Sequence, residues 1–168
     1  SFEAVLQNNI KISVHIKRFL SLELDEIGAI HYQIKPISGD ATITFNPYLD
    51  ASITNEDTNW ADQFWDVLKI DQNKKQSFIV AKTMKTNFHT CTFMQSKVFV
   101  DGTEVLIDAI NTTSEKTASS SYQQEISKNQ IFAIQKFGGY IVDRNHPKDA
   151  LIEAAKDALD EAVTFGFD

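Results

Sequence analysis

From residue 9 to residue 22 the chain reads NIKISVHIKRFLSL, and its apolar positions fall on every second residue. Ile10, Ile12, Val14 and Ile16 alternate with Lys11, Ser13, His15 and Lys17, the period of a strand buried on one face. Lys17-Arg18 breaks that alternation before Phe19, which predicts a bulge or a strand end there. Asp25-Glu26 and Gly28 supply a turn, and residues 29–37 resume strand character with Ile30, Tyr32 and Ile34 on one face. Ser38-Gly39-Asp40 marks a tight turn before another strand at 42–45. These connections are too short for crossover helices, so the opening predicts an antiparallel meander.

Further strands are predicted at 77–84, 90–100, 103–109, 122–127 and 131–142. Asp101-Gly102 is a hairpin signal, because both central residues of a type I′ turn need positive φ. Gly138-Gly139 inside the last strand predicts a bulge or a close backbone approach. TTSEKTASSS at 112–121 lacks an apolar period and reads as an exposed loop. The pattern then changes period. Asp143 or Asn145 can cap, Pro147 suits a first turn, and 148–163 runs unbroken. Leu151, Ala155, Ala158 and Ala162 form one stripe with Ile152, Leu159 and Val163 beside it, an amphipathic helix stopped near Gly166. The fold expected is mainly β: an antiparallel β-sandwich with a C-terminal helix.

Composition adjusts this picture little. A length of 168 residues suits one domain, 42% apolar residues suffice for a core, and twelve Phe favour sheet. The net charge of -7 argues against a nucleic-acid partner, which demands a basic stripe. No apolar run approaches the roughly 18–20 residues of a membrane span. The lone Cys91 excludes an internal disulfide and fits a reducing compartment, so the expected setting is cytoplasmic.

Candidate chemistry is sparse. Four histidines (His15, His31, His89, His146) have no ligand spacing, so no metal is expected and strand-face positions are the better reading. Cys91 as a nucleophile needs an activating base; a buried small hydrophobe is the simpler role. Phosphate-loop, dinucleotide and nucleophile-elbow fingerprints are absent from the sequence. Glu56-Asp57 are adjacent and cannot reach across a glycosidic bond as an acid/base pair. Around them, TNEDTNWADQFWDVL (54–68) holds both tryptophans. Asp57 can cap a short helix over 61–68 in which Trp60, Phe64 and Leu68 share a stripe, with Trp65 at its flank. Such rings either stack on a sugar or anchor a loop to a sheet, and a helical stripe favours anchoring. Read by themselves, the residues describe an acidic, mainly β domain without a recognisable catalytic set.

Arg18-Phe19-Leu20-Ser21, Ile34-Lys35-Pro36, Tyr48-Leu49-Asp50 and the Asn-rich segment from Asn55 to Trp60 occur in one order. In that order they resemble the N-terminal domain of family 65 glycoside phosphorylases and hydrolases. The segment from Lys136 through Gly166-Phe167-Asp168 is similar to the passage from that domain into its linker. The resemblance implies a galactose-mutarotase-like super-sandwich, partial here over 1–142. Residues 143–168 then form a helix leading toward the linker of an (α/α)6 barrel outside this chain.

It further implies an inverting phosphorolysis of an α-glucosidic bond in the full-length enzyme, with no cofactor, inorganic phosphate as substrate and a homodimer as the assembly. The catalytic glutamate belongs to the barrel, so no catalytic residue is carried onto this chain, which reads as a fragment. On this reading Asn55, Asn59, Trp60 and Trp65 are the candidates for contact with carbohydrate at the disaccharide entrance. A free-standing carbohydrate-binding module and a purely structural assembly domain are the alternatives.

Overall fold

The computed structural model describes residues 1–6, 9–54 and 63–167. Among the described residues twelve strands precede one helix: β1 (Phe2–Val5), β2 (Lys11–Leu20), β3 (Ile27–Pro36), β4 (Ala41–Phe45), β5 (Tyr48–Asp50), β6 (Trp65–Gln72), β7 (Gln76–Thr83), β8 (His89–Val100), β9 (Thr103–Val105), β10 (Ile110–Thr113), β11 (Thr117–Ile126), β12 (Phe132–Val142) and α1 (Leu151–Phe165).

They make two antiparallel sheets. The larger runs β1-β2-β3-β12-β8-β7-β6, with β9 on the remaining edge of β8; the smaller runs β10-β11-β4, with β5 also on β11. Only the first three strands form the predicted meander, because β4 crosses to the other sheet. Both faces of the large sheet are used, and strand alternation sorts the residues between them. Cys91 and Phe93 of β8, Phe78 of β7 and Phe137 and Ile141 of β12 pack under Leu151, Ala155, Leu159 and Ala162 of α1. On the opposite face Phe132, Ile134 and Val98 meet Ile43, Phe45, Tyr122 and Ile126 of the small sheet. Beside them Ile79 and Met94 meet Leu49 and Ala118. The result is a sandwich with a helix as its third layer.

Several sequence expectations are corrected. Residues 112–121 are no loop: β10 and β11 pair there as a hairpin around 114–117. Its buried alternation begins at Ala118 and Ser120, small or polar residues that an apolar count overlooks, before it reaches Tyr122. The Ser120 hydroxyl donates to Asn111 Oδ1 at 2.9 Å, so burial costs it no hydrogen bond. Residues 65–68 are the start of β6, not the end of a helix, while residues 61 and 62 lie outside the described residues. Pairing with β7 places Val67 and Ile70 against the core, and a bulge between Val67 and Lys69 turns Leu68 outward. Trp65 pairs with Thr83 there.

At Lys17-Arg18 the pairing of β2 with β3 continues to Leu20 without a register shift. Cross-strand hydrogen bonding outweighs the broken alternation because that end of the strand is exposed on both faces. The strand expected at 103–109 is only Thr103–Val105. The helix begins at Leu151 rather than 148, with Ala150 at its N-cap and no side-chain cap bond. Asp143 is diverted to His89 and Lys148, as described below, and Pro147 closes a turn with Ala150 (N–H to carbonyl 3.0 Å).

Other expectations stand. Asp101-Gly102 takes positive φ at both positions (49° and 81°). Gly138 and Gly139 keep unbroken pairing on both sides, so they serve close approach and not a bulge. A Cβ at Gly138 would meet the Phe93 carbonyl oxygen at 2.7 Å. Among the described residues no helix is long and apolar enough to cross a membrane.

Candidate functional site

Of the four residues expected at the carbohydrate entrance, the described residues include Trp65; Asn55, Asn59 and Trp60 lie outside them. Trp65 is half-buried at the first position of β6, the edge strand of the large sheet. The stem on which it sits is tied on several sides. The Phe64 carbonyl accepts from the Met84 amide at 2.9 Å. Gln63 donates from Nε2 to the Ser52 carbonyl at 3.4 Å and accepts at Oε1 from the Lys116 amine. Asp50 Oδ1 takes the Ser52 amide at 2.7 Å, and the hydrogen bonds from Ser52 hold this carboxyl below the usual carboxylate range. β5, β11 and the start of β6 thus converge where the tryptophan segment leaves and rejoins the described chain.

A second feature, which sequence reasoning missed, lies across β5 from that stem. It is a concave cleft of about 940 Å³ on the small-sheet side of the large sheet. Its floor is the face of β12 that carries Lys136, Gly138 and Tyr140, together with Gly28 and Ile30 of β3. Arg18 closes one side and Leu49 of β5 the other. Neighbouring backbone dictates glycine on the floor at Gly138, whereas at Gly28 a Cβ would be a tight fit, 3.0 Å from the end of the Leu20 side chain and 3.3 Å from the Phe19 carbonyl oxygen. The Lys136 amine reaches the Tyr48 carbonyl at 3.0 Å, and burial pulls it below the ordinary lysine range. Tyr140 stands 64% exposed, a large ring presented to the opening. The available signal was the alternation Ile134, Lys136, Gly138, Tyr140: a cation and a missing side chain on a strand face that is otherwise apolar.

The titratable clusters elsewhere tie elements together. Asp143, at the end of β12, faces His89 Nδ1 at 3.4 Å and Lys148 Nζ at 3.2 Å. Burial works against its charge, yet hydrogen bonds from His89 and Lys148 hold the carboxyl below the usual range. His146 Nε2 meets both oxygens of Glu26, at 2.9 and 3.1 Å. Together these bonds fasten the turn between β12 and α1 to the β2–β3 connection and to the first residue of β8. His15, His31 and His89 occupy strands as expected, whereas His146 lies in that turn. No three His, Cys, Asp or Glu side chains gather as metal ligands among the described residues. Cys91 is fully buried beneath α1, and its thiol is pushed up to about 12 by burial and by the charge of Asp71. That environment makes a hydrophobe and not a nucleophile.

Comparison with known proteins adds what the geometry alone does not. The profile of the glycosyl hydrolase family 65 N-terminal domain matches residues 1–168. Maltose phosphorylase of Bacillus subtilis (strain 168) is 29% identical over 94% of this chain and 20% of its own length. Alpha,alpha-trehalose phosphorylase of Thermoanaerobacter brockii is 24% identical over 94% of this chain and 21% of its own. A solved structure described as a candidate kojibiose phosphorylase from the human microbiome superposes with a TM-score of 0.80. It is 22% identical and is matched over 96% of this chain and 20% of that one. The chain therefore spans about a fifth of the length of these relatives.

Proposed function

Since the chain belongs to the glycosyl hydrolase family 65 N-terminal domain family, we propose that it is the non-catalytic sandwich of a disaccharide phosphorylase. In that enzyme a catalytic unit outside residues 1–168 would cleave an α-glucosidic bond with inversion. The observation that carries this reading is the match of one domain family to the whole chain, against relatives about five times as long. Inverting cleavage needs an acid on one side of the bond and a nucleophile on the other, and inorganic phosphate takes the nucleophile's place in a phosphorylase. Disaccharide and phosphate are then substrates of the whole enzyme, without a further cofactor. The sandwich supports the catalytic unit and a homodimer in the cytoplasm.

The tryptophan segment is its contribution to the sugar entrance. Asn55 and Asn59 offer amide hydrogen bonds, while Trp60 and Trp65 offer the flat faces on which pyranose rings stack. Support for this comes from the stem: residues 50–52, 63 and 116 hold the segment's two ends together on an edge of the sandwich.

Two measurements test the reading. The 168-residue chain, incubated with phosphate and maltose, kojibiose or trehalose, is expected to release no glucose 1-phosphate; release would overturn the non-catalytic assignment. In an enzyme carrying this domain, Trp60→Ala and Trp65→Ala are expected to raise the KM for disaccharide several-fold, on the order of 1 kcal/mol for a lost aromatic contact. Lower stability with unchanged KM would show that the rings only anchor the segment.

A further inference from the structure

Strand alternation divides the α1 side of the large sheet into two unlike halves. Under the helix it is apolar, with Ala29 of β3 and Phe93, Phe137 and Ile141 of its neighbours. α1 packs on β12, β8 and β7 and reaches β3. Farther along β3, the residues on that same side are His31, Gln33 and Lys35. Pairing carries the polar half onto β2, where Lys17 opposes His31, His15 opposes Gln33 and Ser13 opposes Lys35, with Lys11 the next position. Its carboxylates are Glu3 of β1, opposite Ser13, and Glu104 of β9, which faces Lys97 at 3.6 Å. Lys11, Lys17 and Lys35 have no ion-pair partner among the described residues, in a chain of net charge -7.

α1 is the reverse. Its outward residues Glu153, Asp157, Asp160 and Glu161 are all exposed. Lys156 pairs with Glu153 and Gln76 reaches Asp160, so Asp157 and Glu161 have no cation beside them among the described residues. Surfaces of opposite sign therefore lie side by side, and they differ in height by a helix diameter of about 10 Å. A ridge beside a recess of matching depth and opposite charge is self-complementary under a twofold rotation, because the helix of each copy can enter the recess of the other. The border between them is aromatic. Phe167 packs edge-on against Phe19 and His31 with ring centroids 5.1 Å away in both cases, and the nearby Phe165 is 65% exposed. Rings at the centre with charges around them suit a specific contact.

We propose that two copies of this chain associate through this surface, with α1 of each lying across β2 and β3 of the other. The inference rests on the homodimer of the family reading above and assigns it a face. The helix has 15 residues and is thus about 22 Å long and 10–12 Å wide. Two such footprints bury roughly 1,000 Å² in total, at the low end for specific association, which sets the dissociation constant on the order of tens of micromolar. Charge does most of the selecting, so the pair is salt-sensitive.

The test is sedimentation of the 168-residue chain over a range of concentrations. A monomer–dimer equilibrium is expected at about 20 mM salt and should weaken more than tenfold at about 0.5 M. Asp157→Lys with Glu161→Lys reverses the ridge, and Lys11→Glu with Lys17→Glu reverses the recess; all four positions are exposed, so each doubly substituted chain should keep native circular dichroism. Each should be monomeric alone, since both of its contacts then join like charges. Mixed in equal amounts they should form a heterodimer, because acidic helix meets basic sheet at one contact and basic helix meets acidic sheet at the other. A chain that stays monomeric up to about 0.5 mM at low salt would overturn the proposal, well above the affinity that this area implies. A dimer indifferent to salt and to both reversals would defeat this face while keeping the homodimer of the family reading, and failure to pair on mixing would also defeat it. Release of glucose 1-phosphate by the isolated chain would instead defeat the reading of function and leave the sedimentation result unaffected.

Discussion

Gly139 has no room for a side chain: a Cβ there would overlap the carbonyl of Glu26 and press on the ring of Phe93. The obstacle is backbone, so no side-chain rotation relieves it. Gly139→Ala is expected to cost about 3 kcal/mol or more in denaturant unfolding, well beyond what an exposed strand position loses. Cys91 makes a second residue-scale prediction. An unfolded thiol ionises near pH ~8.5, whereas the native one stays protonated up to about 12. Between those values the native state binds the proton that the unfolded state has lost, so stability falls as pH rises through the interval. Cys91→Ala should flatten the alkaline limb of the stability profile measured from pH 8 to 11, at roughly the usual large-to-small cost at neutral pH. An unchanged alkaline slope would show that another group controls it.

Elements differ in how plainly the sequence announces them. Strands β2, β7, β8 and β12 are legible because β-branched and aromatic residues repeat with a period of two. The first half of β11 is not, since Ala118 and Ser120 occupy its inward positions and bury little apolar surface while the hydroxyl finds a partner in Asn111. The start of β6 misleads in the opposite direction: Phe64 and Leu68 share a helical spacing, and only pairing with β7 through a bulge shows that Leu68 faces solvent. The cleft escaped notice for a related reason. Lys136 and Gly138 acquire meaning from Leu49 and Tyr48, distant in sequence and placed beside them by the crossing of β4 and β5 to the second sheet.

At α1 the amphipathic stripe was plain and its start was not, because the capping candidate Asp143 is held by His89 and Lys148. No side chain caps the first turn, and the backbone of Ala150 (φ -103°, ψ 2°) lacks the extended conformation of a capping residue, so Ala150→Ser is expected to change stability by less than the roughly 1 kcal/mol of a well-formed cap. Leu159→Ala should remove about 3 kcal/mol from the fully buried face. Both are read from the midpoint and slope of urea unfolding, and a neutral Leu159→Ala would mean that α1 does not share the sandwich's cooperative transition.

At the scale of the whole molecule the large sheet is the common wall of two cores, and the chain treats its two faces differently. The face toward the small sheet is partly open, at a cleft whose floor mixes a cation, glycines and one exposed ring. The other is closed by α1 over Phe78, Phe93, Phe137 and Ile141, none of which is more than slightly exposed. Three of these rings bury about 150–250 Å² each, more apolar surface than a small sheet can leave in water without binding something else. α1 is therefore structurally part of this unit, whatever follows it in an enzyme.

Ending the chain at Val142 should leave a protein that binds a hydrophobic dye, loses fixed aromatic circular dichroism and presents Cys91 to a thiol reagent within minutes. The intact chain should react only as fast as it unfolds globally, since the thiol lies under Leu151, Ala155 and Leu159 and is held protonated there. A truncated chain with native dichroism and an unreactive Cys91 would show that the sheet can close this face without its helix.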